Sequence, residues 1–570
     1  MTSADEQLAE CIKTRTSFLL DAGAGAGKTY SLVKVLQLIL RQHSAELRAK
    51  GQKVACITFT NVAKNEIASR VNLDPLISVT TIHDFLWSLI ASHQKELRAA
   101  VLVFNDGLKP ESSRKVEAAE LAAALIGKRI VYADLGTNLR KGRLFHDDLL
   151  DVARIMFKEH PRLAQIAVAK YPFIFIDEYQ DTSRPVIDIV LDTILPTAKD
   201  KVIVGLFGDK MQNIFSGSSH PGIGEIPAEL RARLHPVVKP DNRRCPIAVI
   251  NLLNHVRDDI KQVPAADNAQ GEAIYIGAPP EGGLDAAEAL LKERGWTLNA
   301  EETKQLLLTH KLIARKGGYF ELVSIYGDRG GFFREDLLGG EDKTIAFFID
   351  KVESLVAAWE AGRHGQAISI LKLSNFRLGS IADKARVRKL LEGLVQIRRT
   401  GTVRDVLLFL REAQLFDLLE DLATRLDGPL PVPDQDAVDA KYRAADEKFY
   451  AALLELPYTQ VIGFVDFFLD HTPFATKHGV KGAEFPDVIV VLDDAGSNWT
   501  QYSFDKYLTD FDLEKNPRRW AKTRNLFYVS CSRPKRRLAV IDLNPPSDAK
   551  TEKMKTWFGP DNVIMVRSAN

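Results

Sequence analysis

The segment AGAGAGKT, residues 22–29, constrains the fold of this chain more than any other part of its sequence. It follows the apolar run SFLLD and precedes SLVKVLQLIL, which has a helical composition. A strand, a glycine-rich loop and a helix in this order bind nucleotide phosphates, because glycines let backbone N–H groups turn inward and the helix N-terminus adds partial positive charge. The pattern predicts a nucleoside triphosphate site formed by Ala22, Gly23, Ala24, Gly25, Ala26, Gly27, Lys28 and Thr29.

Lys28 and Thr29 supply the ionic groups of this predicted site. The Lys28 ammonium would reach the β- and γ-phosphates, and the Thr29 hydroxyl would bind Mg²⁺. The strict pattern has glycine where this chain has Ala22, so the match is one residue short. The alternative interpretation is a glycine-rich turn in an unrelated α/β protein, which the strand and helix on either side of the loop disfavour.

Two adjacent carboxylates end another apolar run, FIFIDEYQDT at residues 173–182. The carboxyl ends of parallel strands meet at one edge of a sheet, so we expect Asp177 and Glu178 to lie beside the phosphate loop. Asp177 is suited to the Mg²⁺ shell, and Glu178 to orienting and deprotonating the attacking water. A solvated strand end is the alternative. Together with Lys28, the pair predicts Mg²⁺-dependent hydrolysis of a nucleoside triphosphate.

Short apolar, β-rich runs recur along the chain and predict an α/β fold with buried parallel strands. Further runs are KVACITFT (53–60), KVIVGLFGD (201–209), EAIYIG (272–277) and DVIVVLDD (487–494). Helical patterns separate most of them, so we expect two sheets, one on each side of about residue 240. The strand signal fades in residues 92–145 and from about 325 to 458, where helical periodicity indicates two insertions. No internal repeat of fixed period is visible.

Composition excludes several classes of protein. The 570 residues contain 76 Lys and Arg against 75 Asp and Glu, so a net charge of +1 cannot hold nucleic acid by bulk charge alone. Four dispersed cysteines without metal-ligand spacing argue against a disulfide framework and a structural zinc. There is no signal pattern and no run of the ~18 apolar residues that a membrane span needs, which predicts a cytoplasmic protein without a membrane partner.

AGAGAGKT and IDEYQDT together resemble motifs of superfamily 1A DNA helicases, the UvrD/Rep/PcrA group. Further motifs of that group match in order, up to about Lys535. They are ITFTNVAKNEIASR (57–70), VTTIHDF (79–85), FHDDLL (145–150), FGDKMQNIF (207–215), NRR (242–244), TKHGVKGAEFPDVIVV (476–491) and RNLFYVSCSRPK (524–535). The resemblance implies two RecA-like P-loop motor domains, each a parallel sheet flanked by helices and interrupted by a helical insertion.

The implied boundaries follow from these motifs and from the helical stretches. The first motor domain would comprise residues 1–91 and 146–240, with the first insertion at 92–145. The second would comprise 241–324 and 459–550, with the second insertion at 325–458. Residues 551–570 would form a C-terminal tail.

The resemblance also implies roles around the nucleotide. Gln7 matches the glutamine that reads adenine, which implies ATP, although a solvated helix glutamine is the alternative. Gln212 matches the glutamine that senses the γ-phosphate. Arg244 and Arg533 match two arginines that the second motor domain directs at the γ-phosphate, where a planar, permanently charged group suits the developing charge. Glu484 matches a glutamate that contacts the nucleotide sugar.

Tyr30 and Arg243 exchange the residue types that the family places around adenine. The family has arginine directly after the loop threonine and tyrosine in its fourth motif, whereas this chain has Tyr30 and Arg243 at these positions. Either order would put a ring and a guanidinium on opposite faces of the base, so both residues are expected to bind ATP.

A surface ion pair is the alternative interpretation for Arg244 and for Arg533. It is the interpretation we favour for the neighbouring Arg536 and Arg537.

The resemblance further implies a track for single-stranded DNA across both motor domains, built from neutral and aromatic side chains. The matching residues are Phe59, Thr60, Asn61, Thr81, His83, Thr476 and His478. Phe59 is open to a second interpretation as a core residue, because Val54 and Ile57 beside it are apolar. A base-stacking tryptophan of the family is absent, since Phe215 is followed by serine and glycine.

These features predict an ATP-dependent 3′–5′ DNA helicase or translocase acting on single-stranded or tailed duplex DNA, with the polarity taken from the family alone. Short insertions and the lack of nuclease motifs after Lys535 resemble the helicase-like subunit of the Gabija antiphage system, which implies a separate nuclease partner. The main alternative is a DNA-sensing ATPase subunit of a nuclease-containing complex with little unwinding. A P-loop ATPase that does not use nucleic acid is the third interpretation.

Overall fold

The structure is a computed structural model. The structure describes residues 3–58, 61–110, 112, 114–133, 137–198, 200–214, 221–307, 310–340, 342–372, 381–428, 437–469, 471–475, 483–494 and 501–566.

The first sheet contains six parallel strands. In chain order they are β1 Phe18–Ala22, β2 Val54–Thr58, β3 Ile77–Thr81, β4 Phe173–Asp177, β5 Ile203–Gly208 and β6 His235–Lys239. Their spatial order is β3-β2-β4-β5-β1-β6. Every residue of β2, β4 and β5 is buried, which explains why these strands are nearly continuous apolar runs in the sequence.

The second sheet repeats this arrangement. Its strands are β7 Glu272–Gly277, β8 Thr303–Leu307, β9 Phe474–Ala475, β10 Phe485–Leu492, β11 Pro534–Asp542 and β12 Val563–Met565. Their order is β9-β8-β10-β11-β7-β12, and all pairs are parallel. Numbered from one within each sheet, both orders are 3-2-4-5-1-6. The predicted α/β fold with two parallel sheets on either side of about residue 240 is confirmed.

The predicted C-terminal tail is the part of the proposed organisation that the structure corrects. The helix Asp548–Phe558 packs on the second sheet, and β12 pairs in parallel with β7. The described residues after 550 therefore complete the second sheet. The sequence did not reveal this because β12 is only three residues long and lies at the edge of the sheet.

Helices cover both sheets. Four of them carry or support the site: α1 Ala4–Lys13, α2 Lys28–Ala49, α3 Ile247–Val256 and α4 Pro517–Cys531. In the first half the other α-helices are Asn61–Arg70, Ile82–Ile90, Gln94–Gly107, Ala118–Ala124, His146–Glu159, Arg162–Lys170, Arg184–Ile187, Leu195–Thr197 and Ala228–Arg231. A π-helical segment, Asp188–Ile194, continues one of them.

In the second half the helices are concentrated between β8 and β9. They are His310–Lys316, Phe320–Arg329, Gly331–Gly339, Lys343–Phe347, Ser354–Glu360, His364–Lys372, Ile381–Thr400, Val403–Glu412, Glu420–Leu426, Ala437–Glu455 and Tyr458–Phe468, with a π-helical segment at Phe348–Glu353. The others are Gly283–Glu293, Phe504–Leu508, Phe511–Lys515 and Asp548–Phe558.

Both insertions pack into the core of the sheet that they interrupt. One apolar cluster joins Phe104 of the first insertion to Ile174 of β4, and another joins Leu407 of the second insertion to Ile274 of β7. The first insertion also contains a short parallel ribbon, Val131–Tyr132 with Arg143–Leu144, which the sequence did not reveal. Shared cores make each insertion part of its unit, called here the first unit (residues up to 240) and the second unit (residues from 241).

In the described part of the chain, no helix combines the length and the apolar character that a membrane span requires. The four cysteines are free and buried.

Candidate active site

The phosphate loop connects β1 to α2, as the sequence predicts. Gly25 and Gly27 have positive φ angles of 72° and 75°, a backbone conformation that glycine adopts without strain. Ala22, which departs from the strict motif, is instead the last residue of β1 and pairs with Lys239 of β6. Its strand backbone accommodates a β-carbon, so the departure leaves the loop intact.

Two glycines of the loop lie in close contact with the second unit. A β-carbon at Gly23 would lie 2.0 Å from Nε2 of Gln262, and one at Gly25 would lie 2.4 Å from Oδ1 of Asn242. The backbone N–H of Arg243 also donates a hydrogen bond to the Gly25 carbonyl at 3.0 Å. The loop is therefore in direct contact with the segment that follows the first sheet.

Asp177 and Glu178 lie beside the loop at the end of β4. The Lys28 Nζ atom lies 3.8 Å from Oε1 of Glu178, so the structure brings the predicted lysine and carboxylate together. Glu178 has a φ of 51°, an unfavourable angle for a residue with a side chain. Backbone strain of this kind persists only where the surroundings enforce it, and it is frequent at functional sites. Gln180 donates to Oε2 of Glu178 at 2.6 Å and fixes the carboxylate.

The surroundings of Asp177 fit a bound cation. Asp177 is 4% exposed, and burial together with the neighbouring Glu178 raises the pKa of its carboxyl, although Lys28 opposes the shift. A divalent cation would favour the ionised form. Within the described ranges, no cluster of three or more His, Cys, Asp or Glu could hold a metal. Mg²⁺ here would therefore depend on Asp177, Thr29 and the nucleotide's own phosphate oxygens.

Gln212 lies in the turn after β5, where it is 4% exposed. Its Nε2 atom donates to Oδ2 of Asp209 at 3.1 Å. Asp209 is itself held by Gln180, whose Oε1 accepts the Asp209 backbone N–H at 3.0 Å. The predicted γ-phosphate sensor and the predicted water-activating Glu178 are thus connected through Gln180 and Asp209.

Arg533 is the most deeply buried cation of the site. It is 1% exposed; its Nε donates to the Val529 carbonyl at 2.8 Å, and its Nη2 has no hydrogen-bond partner among the residues that the structure describes. Burial, and next the positive charge of Arg244, lower the pKa of Arg533 to about 10, while Glu178 acts in the opposite direction. A buried guanidinium with an unused donor is suited to receive an anion.

Arg244 lies against the loop, since a β-carbon at Gly25 would be 2.8 Å from the β-carbon of Arg244. Its Nε donates to Oε2 of Glu484 at 3.0 Å. Lys535 also pairs with Glu484. Burial alone would raise the pKa of Glu484, but Lys535 and Arg244 hold it below its usual value. The structure therefore shows Glu484 as a partner of Arg244, and its contact with the nucleotide sugar stays a prediction.

Arg536 and Arg537 form ion pairs, as interpreted from the sequence. Both contact the buried carboxylate of Asp487, and Arg536 also pairs with Glu302 at 2.7 Å. Their guanidinium groups are thus bound at the start of β11, within the second unit.

The predicted adenine-binding residues surround the start of α2. Gln7 lies on α1. Asp5 ties this helix to α2 through the Ser31 hydroxyl at 2.6 Å and to β6 through the Lys239 ammonium at 3.1 Å. Burial would raise the pKa of Asp5, but these contacts and Lys34 lower it to about 2. The Tyr30 ring is 55% exposed, with the Lys34 ammonium 4.6 Å from its centroid. The Arg243 side chain is also exposed.

We expect Tyr30→Ala and Arg243→Ala each to raise the Kd for ATP about fivefold to thirtyfold, because each removes one face of a cation–π and stacking arrangement worth about 1–2 kcal/mol. Binding of a fluorescent ATP analogue measures the effect. Lys34→Ala is the matched control, since it removes the cation that the Tyr30 ring contacts in the structure. Unchanged Kd values in both variants would contradict the exchanged sandwich.

The structure describes part of the predicted DNA track. Thr81 ends β3, and its hydroxyl accepts the Asp84 N–H at 3.2 Å, which caps the helix Ile82–Ile90. The His83 ring lies 4.7 Å from His146 and 6.2 Å from Tyr132 of the first insertion. These contacts tie His83 to a ring cluster that the sequence did not reveal.

Other predicted residues lie outside the described residues. For the track they are Phe59, Thr60, Thr476 and His478. The positions after Ile214, where the family has its stacking tryptophan, are also outside: Phe215, Ser216, Gly217 and Ser218. Asn61 begins the helix Asn61–Arg70, and its side chain is likewise outside the described part.

Comparison with known proteins gives consistent matches. The family profile described as AAA domain matches residues 6–218. The chain is 27% identical to Gabija protein GajB of Bacillus cereus (strain HuB5-5), over 95% of each chain. It is 28% identical to the ATP-dependent DNA helicase PcrA of Bacillus subtilis (strain 168), over 31% of this chain and 29% of that protein. A probable DNA helicase II homolog of Rickettsia felis is 26% identical over 31% of this chain and 33% of its own length.

Proposed function

We propose that this chain couples hydrolysis of Mg-ATP to 3′–5′ movement along single-stranded DNA. The chain resembles UvrD/Rep/PcrA-like DNA helicases and is a helicase-like ATPase by that similarity. The observation that carries the proposal is the division of the site between two units. The first unit supplies the phosphate loop, Lys28 and Glu178. The second supplies Arg244 and the buried Arg533, one donor of which has no partner within the described ranges. Hydrolysis would therefore require the two units to close on ATP.

The chemistry would use each group according to its position. The loop amides and Lys28 bind the phosphates, and Glu178, fixed by Gln180, orients the attacking water and accepts its proton. Bound Mg²⁺ supplies charge that neutralises the phosphate oxygens. Arg244 and Arg533 stabilise the charge that develops on the transferred group. Because these arginines belong to the second unit, release of phosphate would weaken closure and let the units move along the strand.

A second candidate function is a DNA-sensing ATPase subunit of a nuclease-containing antiphage complex. The similarity to Gabija protein GajB covers 95% of each chain, whereas the similarity to DNA helicase II and PcrA proteins covers 31% to 50% of this chain, which favours the second candidate. A nuclease partner and weak unwinding would follow from this candidate. Both candidates use the same hydrolytic site and differ in whether DNA strands separate.

Duplexes with a 3′ or a 5′ single-stranded tail test the proposal and separate the candidates. We expect the wild-type protein to separate strands of the 3′-tailed duplex and the Glu178→Gln variant to lose this activity. Single-stranded DNA should stimulate hydrolysis at least about tenfold, because the track and the ATP site couple through closure. DNA-stimulated hydrolysis without strand separation would favour the sensor, and hydrolysis indifferent to DNA would contradict both candidates.

A further inference from the structure

A buried polar cluster connects the two units beside the phosphate loop. Its members are Ala24 and Asp209 of the first unit and Arg257, Gln262 and Tyr528 of the second. The side chains of Asp209 and Arg257 are 0% exposed, as is Tyr528, and Gln262 is 2% exposed. None of the second-unit members was predicted for the site, because their role depends on contacts between segments far apart in the chain.

Tyr528 and Gln262 bind both backbone polar groups of Ala24. The Tyr528 hydroxyl accepts the Ala24 N–H at 2.9 Å, and Gln262 Nε2 donates to the Ala24 carbonyl at 3.1 Å. Gln262 Nε2 also lies 3.3 Å from the Tyr528 hydroxyl. The second unit thus holds the middle of the phosphate loop through directed hydrogen bonds.

Arg257 orients the Tyr528 hydroxyl. Arg257 follows α3 directly, and its Nη1 donates to the hydroxyl at 2.6 Å. Its Nε donates to Asp259 at 2.9 Å, and its Nη2 to Asp209 at 3.5 Å. The Tyr528 hydroxyl in turn donates to Oδ2 of Asp209 at 3.3 Å. Asp209 is the carboxylate that also holds Gln212.

The same helix carries Tyr528 and leads into Arg533. Tyr528 lies in the last turns of α4, and the Arg533 Nε atom donates to the carbonyl of the next residue, Val529. Any shift of α4 relative to the loop therefore moves Tyr528 and Arg533 together. Apolar residues also meet across this boundary, for example Met211 and Val249. Apolar contact is not directional, so it leaves the register of the two units open, whereas the polar cluster specifies one register.

We propose that Tyr528, Arg257 and Gln262 are positioning residues for ATP hydrolysis, which dock the second unit on Ala24 and Asp209 and so set where Arg244 and Arg533 meet the γ-phosphate. The inference rests on the proposed ATP hydrolysis. In this proposal, the second unit aligns with the first by contacting the phosphate loop when the two units close. A general role in folding is the competing explanation.

The chain offers a matched control for the competing explanation. Tyr275 of β7 is also a buried tyrosine, 2% exposed, and its hydroxyl donates to Oδ2 of Asp542 at 2.6 Å. Tyr275→Phe and Tyr528→Phe therefore remove the same hydroxyl and the same kind of hydrogen bond. Only Tyr528 makes its bonds across the two units.

The test compares both variants with the wild-type full chain by steady-state hydrolysis with single-stranded DNA, and by hydrogen exchange of the loop peptide without nucleotide. We expect Tyr528→Phe to lower kcat about tenfold with KM changed less than about threefold, because misplaced groups reduce transition-state stabilisation more than ground-state binding. The amides of residues 22–27 should exchange faster. Tyr275→Phe should alter neither quantity. Adding Gln262→Leu to Tyr528→Phe should cost less than the product of the single effects, since both act on Ala24.

Wild-type kcat and loop exchange in Tyr528→Phe would overturn the positioning role. Equal losses of kcat in Tyr275→Phe and Tyr528→Phe would overturn it as well, because they would indicate a general effect on the fold. A wild-type protein that hydrolyses no ATP with or without DNA would overturn the proposed function, and this role with it. An active wild type beside an unaffected Tyr528→Phe would leave the proposed function in place.

Discussion

Replacing Arg533 with alanine is expected to lower kcat for ATP hydrolysis by about 10³-fold or more, as for arginines that stabilise a transferred phosphoryl group. The charge that develops on the phosphoryl oxygens is stabilised best by a planar group with several donors. Nη2 of Arg533 is buried, and no described residue accepts a hydrogen bond from it, so this donor is suited to binding the phosphoryl oxygens. Affinity for ATP should fall much less than kcat, because the interaction strengthens in the transition state. Hydrolysis at saturating ATP and DNA, with ATP binding measured separately, provides the comparison.

Arg533→Lys and Arg536→Ala are informative companions. Lysine keeps the positive charge but lacks the planar fork, so it should recover only a small part of the lost kcat. Arg536 lies three positions along the same segment, half exposed, and pairs with Asp487 and Glu302. Its removal should change kcat by less than about twofold, since neither of its partners belongs to the ATP site and Arg537 still pairs with the buried Asp487. Similar losses in Arg533→Ala and Arg536→Ala, or a normal kcat in Arg533→Ala, would contradict the role of Arg533.

The phosphate loop and the carboxylates of β4 could be predicted because the determinants are local. Positive φ angles at Gly25 and Gly27, a preceding strand and a following helix are all properties of one short segment. The pair Asp177 and Glu178 ends a strand that is buried throughout. Parallel-sheet geometry then brings both segments to one edge without further information.

Several strands could not be predicted because their burial is uneven or their charges are paired. In β6, two of five residues are buried, so the apolar run is broken. β11 contains Lys535, Arg536 and Arg537, which a sequence pattern places in solvent. The structure holds both arginines on the buried Asp487, a partner fifty positions away. The shared strand order of the two sheets could not be predicted either. Many apolar sequences fit a buried strand equally well, so the sequence of a strand does not specify its neighbours in the sheet.

Contacts between the units were the part of the site that sequence reasoning missed. Gln262 and Arg257 lie in a segment with ordinary polar composition. Their importance comes from distant partners, since Gln262 contacts Ala24, 238 positions away, and Arg257 contacts Tyr528, 271 positions away. The signal that could have indicated them is the glycine at position 23. Glycine there leaves room for a close neighbour, and in the structure Gln262 Nε2 lies 2.0 Å from where a β-carbon would be.

Replacing Glu178 with glutamine is expected to lower kcat by about 10²- to 10⁴-fold, the range that a positioned general base contributes. Glutamine keeps the size of the side chain and its contact with Gln180 but cannot accept the water's proton. ATP binding should persist, since the phosphates are held by the loop and Lys28. Steady-state hydrolysis and ATP binding measure the two effects. Glu225→Gln, at an exposed carboxylate paired with Lys210, is the control for the substitution itself.

Glu178→Gly separates chemistry from stability at the same position. With a φ of 51°, Glu178 carries strain of about 1–3 kcal/mol, which glycine would relieve. Glycine also makes the unfolded chain more flexible, at a cost of about 0.5–1 kcal/mol. We therefore expect the thermal stability of Glu178→Gly to remain close to that of the wild type while kcat falls as in Glu178→Gln. A kcat above about a tenth of the wild-type value in both variants would exclude Glu178 as the base. Loss of activity without loss of stability would indicate that the Glu178 side chain serves hydrolysis, because folding alone would favour glycine at this position.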